Sequence, residues 1–223
     1  MPRFRDRREA GRRLAEKLAE ALADAAGAEG PVVLGIPRGG VVLAREIAGA
    51  LGGTLDVLVV RKLGYPRHEE AGFGALGENG VIVPEHLSSL PPEDPDFESF
   101  RAVIEQKRAE VDERVRLFRE GRPRTPIRDR VTVVVDDGIA TGYTFAAAMA
   151  IAAAERPSDL VAAAPVASGE GVALVSRYCD EVVTLGTAGR GLFFAVSLYY
   201  DDFPQVSDEE VVEVLRSGWN NSG

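Results

Sequence analysis

The apolar positions of this chain fall into short runs separated by longer mixed stretches. PVVLGIP (31–37), LDVLVV (55–60), RVTVVV (130–135), DLVAAAPV (159–166) and EVVTLG (181–186) are brief and rich in valine. β-Branched runs of this length favour buried strands. Between several of them lie VVLAREIAGAL (41–51), TFAAAMAIAAAE (144–155) and GVALVSRYC (171–179), which read as helices. Strands alternating with helices indicate βαβ units and so an α/β fold: an open, mostly parallel sheet with helices on both faces.

Two segments stand outside this rhythm. Leu14, Leu18 and Leu22 recur every four residues within 4–26, predicting an amphipathic surface helix whose arginines, Arg3, Arg5, Arg7, Arg8, Arg12 and Arg13, are solvated. Between Pro91 and Arg122, Phe97, Phe100, Ile104, Val111, Val115 and Phe118 recur at helical spacing along a highly charged stretch. This predicts a long inserted helix (91–122) packed on the domain or on a second subunit, which makes a homo-oligomer a reasonable expectation.

At 223 residues the chain is read as one domain, 1–223. Its formal charge of −9 argues against nonspecific nucleic-acid binding, so an anionic ligand must be held locally. Cys179 has no partner cysteine, and with only His68 and His86 a zinc site of His and Cys is nearly excluded. No apolar run reaches transmembrane length and no signal peptide is visible, so no membrane association and a cytoplasmic location are expected.

Three motifs mislead. GFGALG (72–77) satisfies the three-glycine dinucleotide fingerprint but follows a loop-like YPRHEEA and precedes Asn79-Gly80, a hairpin signal. The acids after 131–135 suggest a nucleotide-triphosphatase strand, yet none of the lysines, Lys17, Lys62 and Lys107, follows a glycine. No serine sits in a Gly-x-Ser-x-Gly elbow.

The informative stretch is VVVDDGIATGYT (133–144). Ligands of open α/β sheets bind beyond the carboxyl ends of the strands, where Asp136 and Asp137 stand. The small residues that follow form a turn into a helix, and amides at a helix start carry partial positive charge; Thr141 and Thr144 add hydroxyls. A phosphate cup beside two carboxylates suits a phosphorylated sugar, its hydroxyls bonded to the acids or to a shared Mg²⁺.

These residues resemble the signature of the type I phosphoribosyltransferases, and the resemblance covers roughly 31–190. It implies a site for phosphoribosyl pyrophosphate (PRPP), with Ala140, Thr141, Gly142, Tyr143 and Thr144 around the 5-phosphate. It implies Asp136 and Asp137 as the catalytic acids and as Mg²⁺ contacts through ligand or water. Pro37, Arg38 and Gly39, in the PRGG turn, and Arg61 and Lys62, at the end of the second strand, would face pyrophosphate. Residues 65–72 match a mobile loop in which Arg67 and His68 could shield the leaving group. The C-terminal segment 190–223 would be a hood over a nucleobase, with Tyr199 and Tyr200 open to the acceptor and Phe193 and Phe194 in the hood's core. Ala140 replaces the aspartate usual in 6-oxopurine enzymes, which disfavours hypoxanthine and guanine. The implied activity is Mg²⁺-dependent phosphoribosyl transfer to a nucleobase. The alternatives are a PRPP-sensing protein without turnover and, against the overall acidity, an RNA-binding regulator.

Overall fold

The computed structural model describes all residues except 24–29, 67, 79, 83–93, 95, 190 and 220–223. The described strands are β1 (Val32–Gly35), β2 (Thr54–Val57), β3 (Val60–Tyr65), β4 (His68–Gly77), β5 (Gly80–Ile82), β6 (Val131–Val135), β7 (Asp159–Ser168) and β8 (Glu181–Ala188). The helices are α1 (Arg7–Ala21), α2 (Gly39–Leu51), α3 (Phe97–Arg119), α4 (Tyr143–Ala153), α5 (Gly169–Val175) and α6 (Asp208–Trp219), with a short 3₁₀ turn at Val196–Tyr199.

The central sheet is parallel throughout, in the order β2-β1-β6-β7-β8. Its inner strands are covered on both faces, which is why their sequences are continuous apolar runs rather than alternating ones. Val33, Val131, Val133 and Val135 point into a core shared with Leu14 and Leu18 of α1, Ile47 of α2 and Leu215 of α6. Val32, Leu34 and Val134 point the other way, onto Phe145, Ala148 and Met149 of α4. The predicted α/β architecture is the observed one.

The run at 55–60 is a departure. β2 ends at Val57, and β3 starts at Val60 in a separate antiparallel sheet, β3-β4-β5. Leu58 and Val59 are fully buried and enter opposite cores. Hydrophobicity marks burial, and here burial continues across a strand break. GFGALG lies inside β4, so its fingerprint is accidental; β4 pairs antiparallel with β5, Gly77 opposite Gly80, and Asn79 of the expected hairpin lies outside the described residues. The segment 65–72, expected as a loop, pairs Tyr65 with His68 and Gly64 with Gly72 across a register irregularity.

The second sheet is held from two sides. Ile151 of α4 lies 2.7 Å from where a Cβ on Gly77 would be, so only glycine lets helix and strand approach this closely. On the other side, Phe100 of α3 meets Phe73 at 4.8 Å and Tyr65 at 5.8 Å between ring centroids. The long helix therefore packs on its own domain. Its last residue, Arg119, is buried with Asp56 and Glu78, binding Asp56 Oδ1 at 3.2 Å, Glu78 Oε1 at 2.8 Å and the Val57 carbonyl at 2.9 Å. Among the described residues no helix is long and apolar enough to cross a membrane.

Candidate functional site

Sheet register brings the two key loops together. β1 and β6 are neighbours with Gly35 opposite Val135, so the turns that leave them, 36–39 and 136–142, lie side by side at the carboxyl edge. The Ile36 amide donates to the Val135 carbonyl at 2.9 Å. Contact between the loops is closer than any side chain would permit. A Cβ on Gly40 would stand 2.3 Å from the Val135 carbonyl oxygen, and one on Gly39 would stand 2.0 Å from Asp137 Oδ2. The two glycines of PRGG thus press the start of α2 onto the acid pair, and the Pro37–Arg38 peptide preceding them is cis.

The turn after the acids is fixed from below. Ile139 exchanges backbone bonds with β7, its amide to Val166 at 2.9 Å and its carbonyl from Ser168 at 2.8 Å. The Ser168 hydroxyl donates to the Ala140 carbonyl and accepts from the Gly171 amide. Gly142 takes the left-handed conformation, φ 81°, and caps α4 without any side-chain acceptor. A helix start left uncapped keeps its amides directed at solvent, where they can receive an anion. Ala140, Thr141, Tyr143 and Thr144 are all exposed around it.

Asp136 and Asp137 occupy very different surroundings. The Asp136 carboxylate accepts from the Asp137 amide at 2.8 Å, and burial, reinforced by the neighbouring Asp137 charge, raises its pKa well above the usual carboxylate range. Burial also raises that of Asp137, but here a cation opposes it. Arg7, at the first turn of α1, is itself buried; its Nε donates to Asp137 Oδ2 at 2.8 Å. The same guanidinium donates to the Pro204 carbonyl at 2.7 Å and covers the Phe203 ring at 3.7 Å. The expectation that the N-terminal arginines are all solvated fails at Arg7. The signal was present: Arg7, Gly11, Leu14 and Leu18 share one helical stripe, so Arg7 begins the buried face.

The basic residues expected at pyrophosphate divide. Successive side chains of a strand point to opposite faces, and on β3 this separates Arg61 from Lys62. Lys62 Nζ lies 5.8 Å from the ring of Tyr143, on the cup side. Arg61 turns to α3, where it donates to Glu110 at 3.3 Å, and burial lowers its pKa. The structure therefore corrects Arg61 from a pyrophosphate contact to a sheet–helix link. Arg38 lies at the entrance to α2 and leans toward Asp208 at 3.7 Å, which Arg114 of α3 approaches at the same distance. Arg67 lies outside the described residues; His68 opens β4, and its side chain also lies outside them.

The C-terminal segment reverses two expectations. Tyr200 is buried, packed between Phe4 and Phe203, and its hydroxyl donates to the Asp137 carbonyl at 2.7 Å. It supports the acid pair instead of opening to an acceptor. Phe194 is 80% exposed, not in the core, because the chain there runs over the surface with Leu192 and Leu198 also exposed. Phe193 and Tyr199 stack on each other at 5.3 Å and are partly buried. Val196 fills the space that a side chain on Gly138 would occupy, placing this apolar edge beside the acids.

No cluster of three or more His, Cys, Asp or Glu among the described residues is arranged to hold a metal ion. With Asp137 Oδ2 committed to Arg7 and Asp136 bonded to backbone, the pair suits a cation carried on a ligand's own oxygens, not a resident ion.

Comparisons with known proteins identify the family. The model of the phosphoribosyl transferase domain matches residues 5–197. The Mycobacterium tuberculosis protein named "Putative phosphoribosyl transferase Rv0571c" is 45% identical over 222 residues, covering 96% of this chain and 47% of its own length. The chain thus spans about half the length of the curated relatives it matches. The crystal structure of TT1426 from Thermus thermophilus is 41% identical with a TM-score of 0.84, over 96% of this chain and 98% of that one. AQ2163 from Aquifex aeolicus, at 11% identity and a TM-score of 0.53 over 94% of this chain and 84% of that one, shares the fold.

Proposed function

This chain belongs to the phosphoribosyl transferase domain family, and from that premise we propose that it transfers a phosphoribosyl group from PRPP to a nucleobase. The observation that carries this reading is the uncapped start of α4 directly beside the acid pair, with the glycines of α2 pressed against the same acids. In the proposed reaction the bond from the anomeric carbon to pyrophosphate breaks as a bond to an acceptor nitrogen forms, with inversion; the electron pair of the broken bond leaves with pyrophosphate, and the nitrogen's proton passes to water or to the departing pyrophosphate.

The amides and hydroxyls from Thr141 to Thr144 hold the 5-phosphate, which contributes positioning. The ribose hydroxyls donate to Asp136 and to the Oδ1 of Asp137, the oxygen not taken by Arg7. As the anomeric bond stretches, positive charge grows on the ribose, and a fixed anion nearby stabilises it. The start of α2, Arg38 and Lys62 face the departing pyrophosphate. Asp136 and Asp137 would meet a Mg²⁺ ion through the ligand or water, and such an ion would supply positive charge toward the leaving group. The exposed edge of Leu192, Phe194 and Leu198 receives the flat acceptor base. Ala140 provides no acid or base, so 6-oxopurines are not the favoured acceptors.

One observation favours a second reading, a PRPP-binding regulator: half of the Asp137 carboxylate is already occupied by Arg7. Pyrophosphate release from PRPP and Mg²⁺ with a panel of bases separates the two. Release with one or more bases supports transfer, tight PRPP binding without release supports the sensor, and absence of both refutes the site.

A further inference from the structure

Arginine in the first turn of a surface helix is ordinarily solvated, and burying one is costly unless its charge and donors are satisfied. Arg7 is 8% exposed and meets partners from two distant segments: Asp137 at the tip of β6, and Phe203 with Pro204 in the C-terminal segment. The contacts differ in kind. One is a charge-assisted bond to a carboxylate oxygen, one a bond to a backbone carbonyl and one a cation–π contact, so the guanidinium plane is fixed in rotation as well as position. Its direction is also constrained from the opposite side. A Cβ on Gly39 would stand 3.0 Å from Arg7 Nε as well as 2.0 Å from Asp137 Oδ2, so glycine at 39 leaves the room in which the pair forms. Asp137 is further held at its carbonyl by the Tyr200 hydroxyl. One aspartate is thereby gripped at two points, by the N-terminal helix 130 residues away and by the C-terminal segment 63 residues away.

We propose that Arg7 is the positioning residue of the acid pair: by fixing Oδ2 of Asp137 it presents Oδ1 to the ribose, and through Phe203 and Pro204 it couples the C-terminal segment to that orientation. The inference rests on the PRPP reading above. A lysine at this position places one compact ammonium where Arg7 satisfies three partners, so charge alone does not reproduce the role.

A double-mutant cycle on PRPP affinity tests it, by calorimetric titration at one fixed Mg²⁺ concentration with thermal melts confirming that each variant is folded. Arg7→Gln is expected to weaken PRPP binding roughly tenfold, within the range of coupling between residues in contact, and Arg7→Lys to restore only part of the loss. In an Asp137→Asn background, where no charged carboxylate remains to be oriented, Arg7→Gln should add little further loss. Phe203→Leu provides a second route should Arg7→Gln not fold: it loosens the guanidinium from the far side without altering charge, and its smaller loss should likewise disappear beside Asp137→Asn. Losses that multiply in full across the backgrounds, or unchanged affinity in Arg7→Gln, overturn the positioning role while leaving PRPP binding standing. A wild-type chain that fails to bind PRPP overturns the parent reading and this inference with it.

Discussion

Two glycines on α2 give a paired test of the contact that builds the site. Gly49 and Gly40 lie in the same helix, and replacing either by alanine removes backbone entropy from the unfolded chain and favours helix, a gain of up to ~1 kcal/mol in an exposed interior. What the new methyl group meets decides the sign. At Gly49 the nearest atom is Arg45 Nη1 at 3.1 Å, the end of a flexible side chain that can move aside. At Gly40 the methyl would stand 2.3 Å from the Val135 carbonyl oxygen and 2.9 Å from the Asp136 Cα. Both are backbone atoms of a buried strand tip, and about 1 Å of separation is missing, so the start of α2 must shift away from β6. Overpacking of this kind costs ~1–3 kcal/mol, which exceeds the helical gain. Gly49→Ala should therefore raise the urea midpoint, and Gly40→Ala should lower it by roughly 0.5–1 M for ordinary slopes of ~1–3 kcal/mol/M. Gly40→Ala should also weaken PRPP binding, because the displaced helix start no longer faces the acids. A Gly40→Ala midpoint at or above that of the wild type would refute the close contact between the loop and the acid pair.

Other outcomes follow from the buried charges. In the native state Asp136 keeps its proton to higher pH than in the unfolded chain, so from about pH 4 upward the folded form binds more protons and stability falls as pH rises through the native pKa. Asp136→Asn, which cannot titrate, should melt higher than wild type at pH 7.5 and vary less between pH 5 and 8; parallel pH curves would contradict this. Asp137→Asn should abolish pyrophosphate release, and retained release would remove that carboxylate from the reaction. Arg119→Met leaves Asp56, 1% exposed, without its cation and Glu78 with Arg124 alone, and should destabilise the fold by ~3–5 kcal/mol in denaturant titrations. A loss below ~1 kcal/mol would show that the network is not closed.

The parallel sheet was legible because both of its faces are buried, which prints strands as near-continuous, valine-rich runs at β1 and β6. The turn proposed as a phosphate cup was legible because a helix start without a side-chain cap demands particular small residues in contiguous order. The second sheet was not: Leu58 and Val59 remain buried across the break between β2 and β3, so apolarity gives no mark of where the hydrogen bonding changes partner. The opposite fates of Arg61 and Lys62 follow from strand alternation, and treating them as a strand end concealed it. Arg7 escaped because six arginines crowd the N-terminus and composition gives all of them the same description. Only its place on the leucine stripe separates it from the rest. Tyr200 escaped for a related reason, since an aromatic cluster does not reveal which ring carries its hydroxyl inward.

The acid pair also shows why two adjacent carboxylates need not act alike. Burial raises both pKa values, and the charge on Asp137 raises that of Asp136 further, against backbone donors and the Arg7 charge, which Asp136 does not contact directly. Asp137 has Arg7 in direct contact, and the cost of its ionisation is reduced by an attraction that burial strengthens, since low polarizability around a pair magnifies its Coulomb energy. The direct contact with Arg7 favours the negative charge on Asp137, and Asp136 is the carboxyl that more readily holds a proton. In the proposed reaction such a site meets a cationic ribose with one fixed anion. In that reaction, positive charge growing on the ribose as the anomeric bond stretches favours the ionised form of Asp136 and makes it a stronger acceptor.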